Sequence, residues 1–316
     1  KIVWICPGDI AKYPGKIGDV LAASSVTNYL HRKNYEIHFI TNEIMKPLIE
    51  ETYGFSASSL RESLSQRDLE ICGKADFIFI LKPFDNEKGN FWEKQILDFG
   101  INKDKICRIC DLDSFAQDGL HITEQILEKV LKFLNESNQK EKIYSLLKVD
   151  NISENKLDYA VLPFAGDKRK CLEVKTIFEI ISRLNGEVGL FGTEEEINDI
   201  KEFKTDIEAK FTNVKFYGKS LKQVCSSISK CKTIFCVDSG LMLAVVSGLN
   251  FLAVNNKLTK EEFPRFKVII GKDIRENYLP SSKIWKPLAI YPEKIEIINS
   301  KQELRLKDIN IETILS

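Results

Sequence analysis

Thr233-Ile234-Phe235-Cys236-Val237-Asp238-Ser239-Gly240-Leu241-Met242-Leu243-Ala244-Val245-Val246-Ser247 contains the unit from which the whole chain is built. A short run of apolar and β-branched residues meets Asp-Ser-Gly without a spacer, and a second apolar stretch follows. Such a run closed by a turn predicts a buried strand, Thr233–Val237. Leu241–Ser247 then reads as a helix and Phe251–Val254 as the next strand. Gly240 lets a ligand approach the backbone, and a helix start offers free N–H groups and a positive dipole end, which favour phosphate. The Ser239 hydroxyl can add a hydrogen bond. Asp238 and Ser239 fit a plain helix cap equally well, and the two readings are compatible.

The same alternation extends outward. Tyr159–Pro163, Glu187–Phe191 and Val214–Tyr217 read as strands, with helices over Val174–Leu184, Glu194–Lys204 and Leu221–Ser229. In the first half, Ile2–Cys6 runs into Pro7-Gly8 as a buried strand should. Glu36–Thr41, Ala75–Leu81 and Lys105–Cys110 are further strands. Helices are expected from Gly18 through Lys33, over Glu43–Thr52 and within Gly119–Asn135. The polar stretch 136–157 separates the halves, with Ile143–Val149 readable as a short helix inside it. Two such series predict an α/β protein of two Rossmann-like, doubly wound domains facing a cleft, residues 1–150 and 151–316. Ligands of such sheets bind at the carboxyl ends of the strands.

Composition narrows the function. Lys plus Arg and Asp plus Glu are both 46, so the net charge is zero. A non-specific nucleic-acid binder carries excess positive charge, so no nucleic-acid partner is expected. A hydrophobic content of 43% excludes a disordered regulator. The 8 cysteines are too sparse for a disulfide scaffold. With His only at 31, 38 and 121, no His-built metal centre is expected. Phe77–Leu81 and Leu241–Val246 are far shorter than the ~18 apolar residues of a membrane span. The opening Lys1-Ile2-Val3-Trp4-Ile5 already reads as a strand, so no signal peptide is expected. These features predict a soluble cytoplasmic protein with reduced thiols.

Three further segments could carry chemistry. Gly18-Asp19-Val20-Leu21 puts a carboxylate at a helix start: an N-cap, or a general base for an acceptor hydroxyl. Lys168-Arg169-Lys170 follows a strand end, Pro163-Phe164-Ala165-Gly166: a solvated charge run, or cations for a diphosphate. Gly192-Thr193 closes a strand, as a tight turn requires. Gly218-Lys219-Ser220 imitates a P-loop, but position 213, where the motif needs Gly, is Asn. Cys107-x-x-Cys110 has no second pair at that spacing and reads as packed strand-end thiols.

The order of these segments resembles glycosyltransferase family 9, the ADP-heptose:lipopolysaccharide heptosyltransferases. The family's Gly-Asp-Val-Leu turn is matched at Gly18–Leu21, and its His-led helix at His121-Ile122-Thr123-Glu124-Gln125-Ile126-Leu127. Its strand–Pro–Gly–Ala–basic loop is similar to Val161–Gly166 with Lys168–Lys170. Leu190-Phe191-Gly192-Thr193, Gly218-Lys219-Ser220-Leu221 and Asp238-Ser239-Gly240 follow in the family's order, over roughly residues 1–255. The resemblance implies the GT-B architecture, with acceptor on the N-terminal domain and nucleotide sugar on the C-terminal one. It implies an inverting displacement with no cofactor and no essential metal.

By the same resemblance Asp19 is the catalytic base. It implies that Lys168, Arg169, Lys170, Asp238, Ser239 and Gly240 would bind the donor diphosphate, with Lys170 or a neighbour as the phosphate-binding cation. Gly18, Gly192, Thr193 and Ser220 would lie at the nucleotide or cleft side. The partners would be a sugar nucleotide and a glycan, glycolipid or protein acceptor, with peripheral contact at the inner membrane face left open. Two positions depart from the family pattern. Leu241-Met242-Leu243-Ala244 lacks the His that follows the Asp-Ser/Thr-Gly turn, and Lys170-Cys171-Leu172-Glu173 replaces Lys-x-Trp-Pro. They motivate one alternative, a degenerate transferase kept as a binding subunit. A second, a non-hydrolysing sugar-nucleotide epimerase on a similar fold, uses a cleft His, against which the scarcity of His here speaks.

Overall fold

A computed structural model describes residues 1–6, 17–43, 45–60, 62–82, 86–110, 121–137, 142–149, 152, 157–218, 221–272, 287–303, 306 and 311–316. The chain divides into two compact units, Lys1–Ser145 and Leu146–Ser316.

The first unit has strands β1 (Ile2–Ile5), β2 (Ile37–Thr41), β3 (Ser56–Ser59), β4 (Phe77–Leu81) and β5 (Ile106–Ile109). Its helices are α1 (Ile17–Arg32), α2 (Met45–Tyr53), α3 (Gln66–Gly73), α4 (Asn86–Asp98) and α5 (Ile122–Phe133). The sheet runs β3-β2-β1-β4-β5, all parallel. Parallel strands are covered on both faces and read as continuous apolar runs, and β1 is buried at every position. Side chains alternate between faces. Trp4 lies against Phe39 and Phe79, at ring centroid distances of 6.4 and 5.0 Å. Val3 and Ile5 instead join Ile78, Ile80, Cys72, Trp92 and Ile96 in one core cluster.

The second unit has β6 (Tyr159–Leu162), α6 (Val174–Ser182), β7 (Val188–Gly192), α7 (Glu194–Asp199), α8 (Lys201–Lys210), β8 (Val214–Gly218) and α9 (Leu221–Ile228). These are followed by β9 (Thr233–Val237), α10 (Gly240–Val254), β10 (Arg265–Lys272), β11 (Ile295–Glu303) and a short helix Ile311–Leu315. The sheet order is β11-β10-β9-β6-β7-β8, again parallel.

Three local expectations are corrected. Phe251–Val254 is not a strand but the last turn of α10. Gly248 does not end that helix. A Cβ there would lie 2.9 Å from both Cβ and Sγ of Cys225, so the glycine serves the close approach of α10 to α9. Ile143–Val149 is not helical: Ile143, Leu147 and Val149 are buried in irregular chain, and the Leu147 N–H donates to the Ser247 carbonyl at 3.0 Å. Glu194–Lys204 is not one helix, because the backbone turns at Ile200 (φ −104°, ψ 24°) between α7 and α8.

The edge strand β3 has the sequence SASS and carries no apolar signal. It is held to β2 by side chains. His38 Nδ1 lies 2.7 Å from Ser56 Oγ, and Nε2 lies 3.3 Å from Ser58 Oγ. Ser58 donates to Asp68 at 2.6 Å, and Asp68 closes the capping box of α3 with Ser65. Burial, then the Lys1 charge, holds the His38 imidazole below its ordinary pKa.

Candidate functional site

A doubly wound sheet offers a ligand crevice where the strand order reverses, outside the carboxyl ends. In the first unit this lies between β1 and β4; in the second, between β6 and β9. Each unit brings charged residues to that place.

In the first unit, Asp19 is the third residue of α1 and is 6% exposed. It lies inside the first turn and is not the cap. A carboxylate there is favoured by the positive end of the helix. Gly18 precedes it in the same turn, half-buried, and the Pro/Gly loop 7–16 lies outside the described residues. α5 runs alongside α1. At their far ends Lys33 Nζ reaches Glu136 at 3.5 Å and the Tyr35 hydroxyl donates to Glu136 at 2.9 Å. Phe133, the last residue of α5, packs on Phe77 at the start of β4. α5 is therefore antiparallel to the strands, and its N-terminus lies at the carboxyl edge with Asp19.

That N-terminus is capped by His121, which is buried. Its Nδ1 accepts the Thr123 N–H at 3.1 Å, and Glu124 accepts the His121 N–H at 3.1 Å. An accepting Nδ1 carries no proton, so a neutral His121 is protonated at Nε2. Cys6, directly after β1, is fully buried; burial and the Asp19 charge push its thiol well above the usual range, while Lys82 opposes them. Lys82 follows β4 and is 3% exposed. It is not among the candidate residues read from the sequence. Its only signal is a Lys set directly after the apolar run Phe77–Leu81.

In the second unit, the loop after β6 is folded back on itself. The Leu172 N–H donates to the Pro163 carbonyl at 2.9 Å, and the Ala165 N–H to Cys171 Sγ at 3.2 Å. Lys168–Lys170 forms one 3-10 turn between these ties. The turn separates its cations. Lys170 Nζ lies 2.5 Å from Asp238 Oδ2, so the pair bridges the carboxyl ends of β6 and β9. Lys168 points away, 3.7 Å from Asp199 in an exposed ion pair. Of Arg169 only the backbone is described.

Ser239 caps α10, its Oγ accepting the Met242 N–H at 3.2 Å, and Gly240 is the first helical residue. The first intrahelical bond is from the Leu243 N–H to the Ser239 carbonyl. The N–H groups of Gly240 and Leu241 lie ahead of it, at the positive end of the helix. Gly192 is the last residue of β7, and a Cβ there would lie 2.7 Å from the Phe164 ring. Thr193 caps α7 in a reciprocal box with Glu196. Ser220 lies outside the described residues. The structure thus groups Lys170, Asp238, Ser239 and Gly240, and leaves Lys168 outside the group.

The Cys107–Cys110 pair belongs to the end of β5. Burial pushes the Cys107 thiol up to about 11, and the Cys110 thiol is buried, donating to the Ile80 carbonyl at 3.7 Å. Among the described residues no three His, Cys, Asp or Glu side chains gather into a group able to hold a metal. No described helix is long and apolar enough to cross a membrane.

Two parallel doubly wound α/β units make up the chain, as in the GT-B class of fold. Solved structures bear out the likeness over the whole chain. The chain matches ADP-heptose lps heptosyltransferase II of E. coli with a TM-score of 0.65 at 16% identity, covering 100% of this chain and 96% of that one. It matches E. coli heptosyltransferase WaaC with ADP at 0.63 and 14%, covering 97% and 96%. It matches a glycosyl transferase family 9 protein from Veillonella parvula at 0.63 and 12%, covering 95% and 85%. At these identities the likeness is one of fold. No family model and no curated protein sequence matches the chain.

Proposed function

We propose that this chain is an inverting, metal-independent glycosyltransferase that moves a heptose or related sugar from a nucleotide-diphosphate donor to a hydroxyl of a surface-glycan, glycolipid or protein acceptor in the cytoplasm. The observation that carries the reading is the Lys170–Asp238 pair beside the Ser239-capped start of α10, at the switch point of the second unit. An ammonium group and free N–H groups converge there, a combination suited to a diphosphate. The heptosyltransferases that share the fold support the donor class, and one of them was solved with ADP.

The chemistry follows from these residues. A sugar hydroxyl is a poor nucleophile until a base takes its proton, and in this reading Asp19 is that base. The hydroxyl oxygen attacks the anomeric carbon from the face opposite the diphosphate, so the configuration inverts. As the anomeric C–O bond breaks, negative charge builds on the diphosphate. Lys170 and the N–H groups of α10 stabilise that charge without a divalent ion. Asp238 holds the Lys170 ammonium in position.

A panel of ADP, UDP, GDP and CMP tests the donor site by thermal shift. Binding raises stability according to ligand concentration over Kd, and ADP should give the largest rise. Incubating an ADP-linked sugar with and without glycan acceptors then separates transfer from epimerisation. An isomer formed without acceptor, or no turnover with any acceptor, overturns the assignment.

A further inference from the structure

The lysine after β4 has no part in the transfer scheme above, yet it occupies the switch point of the first unit. β1 and β4 pair with Ile5 opposite Ile80. Continuing that register puts Cys6 beside Leu81, with Lys82 one residue further along the carboxyl edge. α1 starts at this edge and buries Asp19 there. Lys82 is 3% exposed. A lysine so deeply buried needs a negative charge or hydrogen bonds to offset the loss of water. Asp19 and Lys82 both lie close enough to Cys6 to act on its thiol, with opposite sign.

The geometry points to Lys82 as the charge partner of Asp19, a positioning residue that keeps this buried carboxylate ionised and in place. Among the described residues, the other ionisable groups brought to this end by the elements around α1 are Cys6 after β1, His121 at the cap of α5, Glu124 in its first turn, which accepts the His121 N–H, and Lys46 in the first turn of α2. Cys6 stays a neutral thiol. His121 has Nδ1 committed to the Thr123 N–H. Lys46 is half-buried, whereas Lys82 is closed off from water, where a charge acts most strongly. The role in transfer rests on the reading of Asp19 as base; the electrostatic coupling does not.

The test follows the Asp19 carboxyl carbon by NMR in the full chain labelled at Asp, with the signal assigned by Asp19→Asn. Removing the cation in Lys82→Met should move the Asp19 midpoint to higher pH by about one unit or more. Lys82→Arg should restore it. The acid limb of the turnover profile should move in the same direction. An unchanged midpoint in folded Lys82→Met overturns the proposal. Should Lys82→Met fail to fold, the double variant Lys82→Met/Asp19→Asn decides. Recovery of the fold supports the pair, because no lone buried charge remains; failure to recover overturns it. Because the NMR readout needs no turnover, it stays separate from any failure of the transferase assignment.

Discussion

The two switch points carry the same kinds of charge in opposite order. In the first unit the acid, Asp19, follows the first strand and the cation, Lys82, follows the strand beside it. In the second unit the cation, Lys170, follows the first strand and the acid, Asp238, follows its neighbour. Burial differs as well. Asp19 and Lys82 are 6% and 3% exposed, whereas the Lys170 side chain keeps 34% of its surface open. A closed-off carboxylate suits proton transfer, because a dry site keeps its electrostatics strong. A half-open ammonium, anchored by an acid on one side, can take a second anion on the other. The difference teaches that one sheet plan can present a closed-off acid or a half-open cation, depending on the side chains after two strands.

Asp19→Asn should break the comparison most sharply. Loss of a general base costs about 10²–10⁴-fold in turnover, while the thermal shift with ADP should stay near the wild-type value. Turnover within a few-fold of wild type removes Asp19 from its role. Lys170→Met should come next. A charge-assisted hydrogen bond contributes about 1.5–3 kcal/mol, so ADP binding by calorimetry should weaken by about 10–100-fold. Lys168→Met is its control and should leave ADP affinity unchanged, because Lys168 points to Asp199; equal losses in both variants would erase the distinction between the cations.

Gly248→Ala tests whether α10 is held where its N-terminus serves the second site. The added Cβ meets Cys225, and forcing atoms into a packed helix contact costs about 1–3 kcal/mol, read as a lower denaturation midpoint. His38 gives the smallest effect and belongs to the first unit alone. Its pKa is lowered in the fold by burial, so the native state takes up its proton later than the unfolded chain on acidification. Its contribution is complete above about pH 6.5, the unfolded value. It is lost as pH falls from there through the folded value. The stability of His38→Asn against pH should lack that component; identical pH dependence in both proteins would discount it.

The alternation of Ile2–Cys6, Ala75–Leu81 and Thr233–Val237 with helical segments was enough to read two parallel-sheet units. Buried parallel strands advertise themselves as short apolar runs, and turn residues punctuate them. β3 was not legible, because SASS has no apolar pattern and its place depends on His38 and Asp68, distant in sequence. Phe251–Val254 misled for the converse reason. Its apolar residues suit a strand, whereas the chain continues helically through Gly248, where the absence of a Cβ lets α10 approach Cys225. At the second site, the segments Lys168–Lys170 and Asp238–Gly240 were legible as candidates for an anion. Which cation faces Asp238 was not, since Lys168 and Lys170 share one tight turn and their side chains leave it for different partners.

The sequence by itself determined the α/β class, the two series of units and the polar and charged residues after Leu162 and Val237, all of which are local properties of the chain. Only the tertiary structure decided that Lys170 rather than Lys168 meets Asp238, and that Lys82 is buried at the same edge as Asp19. Charge pairing and desolvation depend on distances through space, and residues such as Lys170 and Asp238, far apart in the chain, become neighbours only when parallel strands align their carboxyl ends.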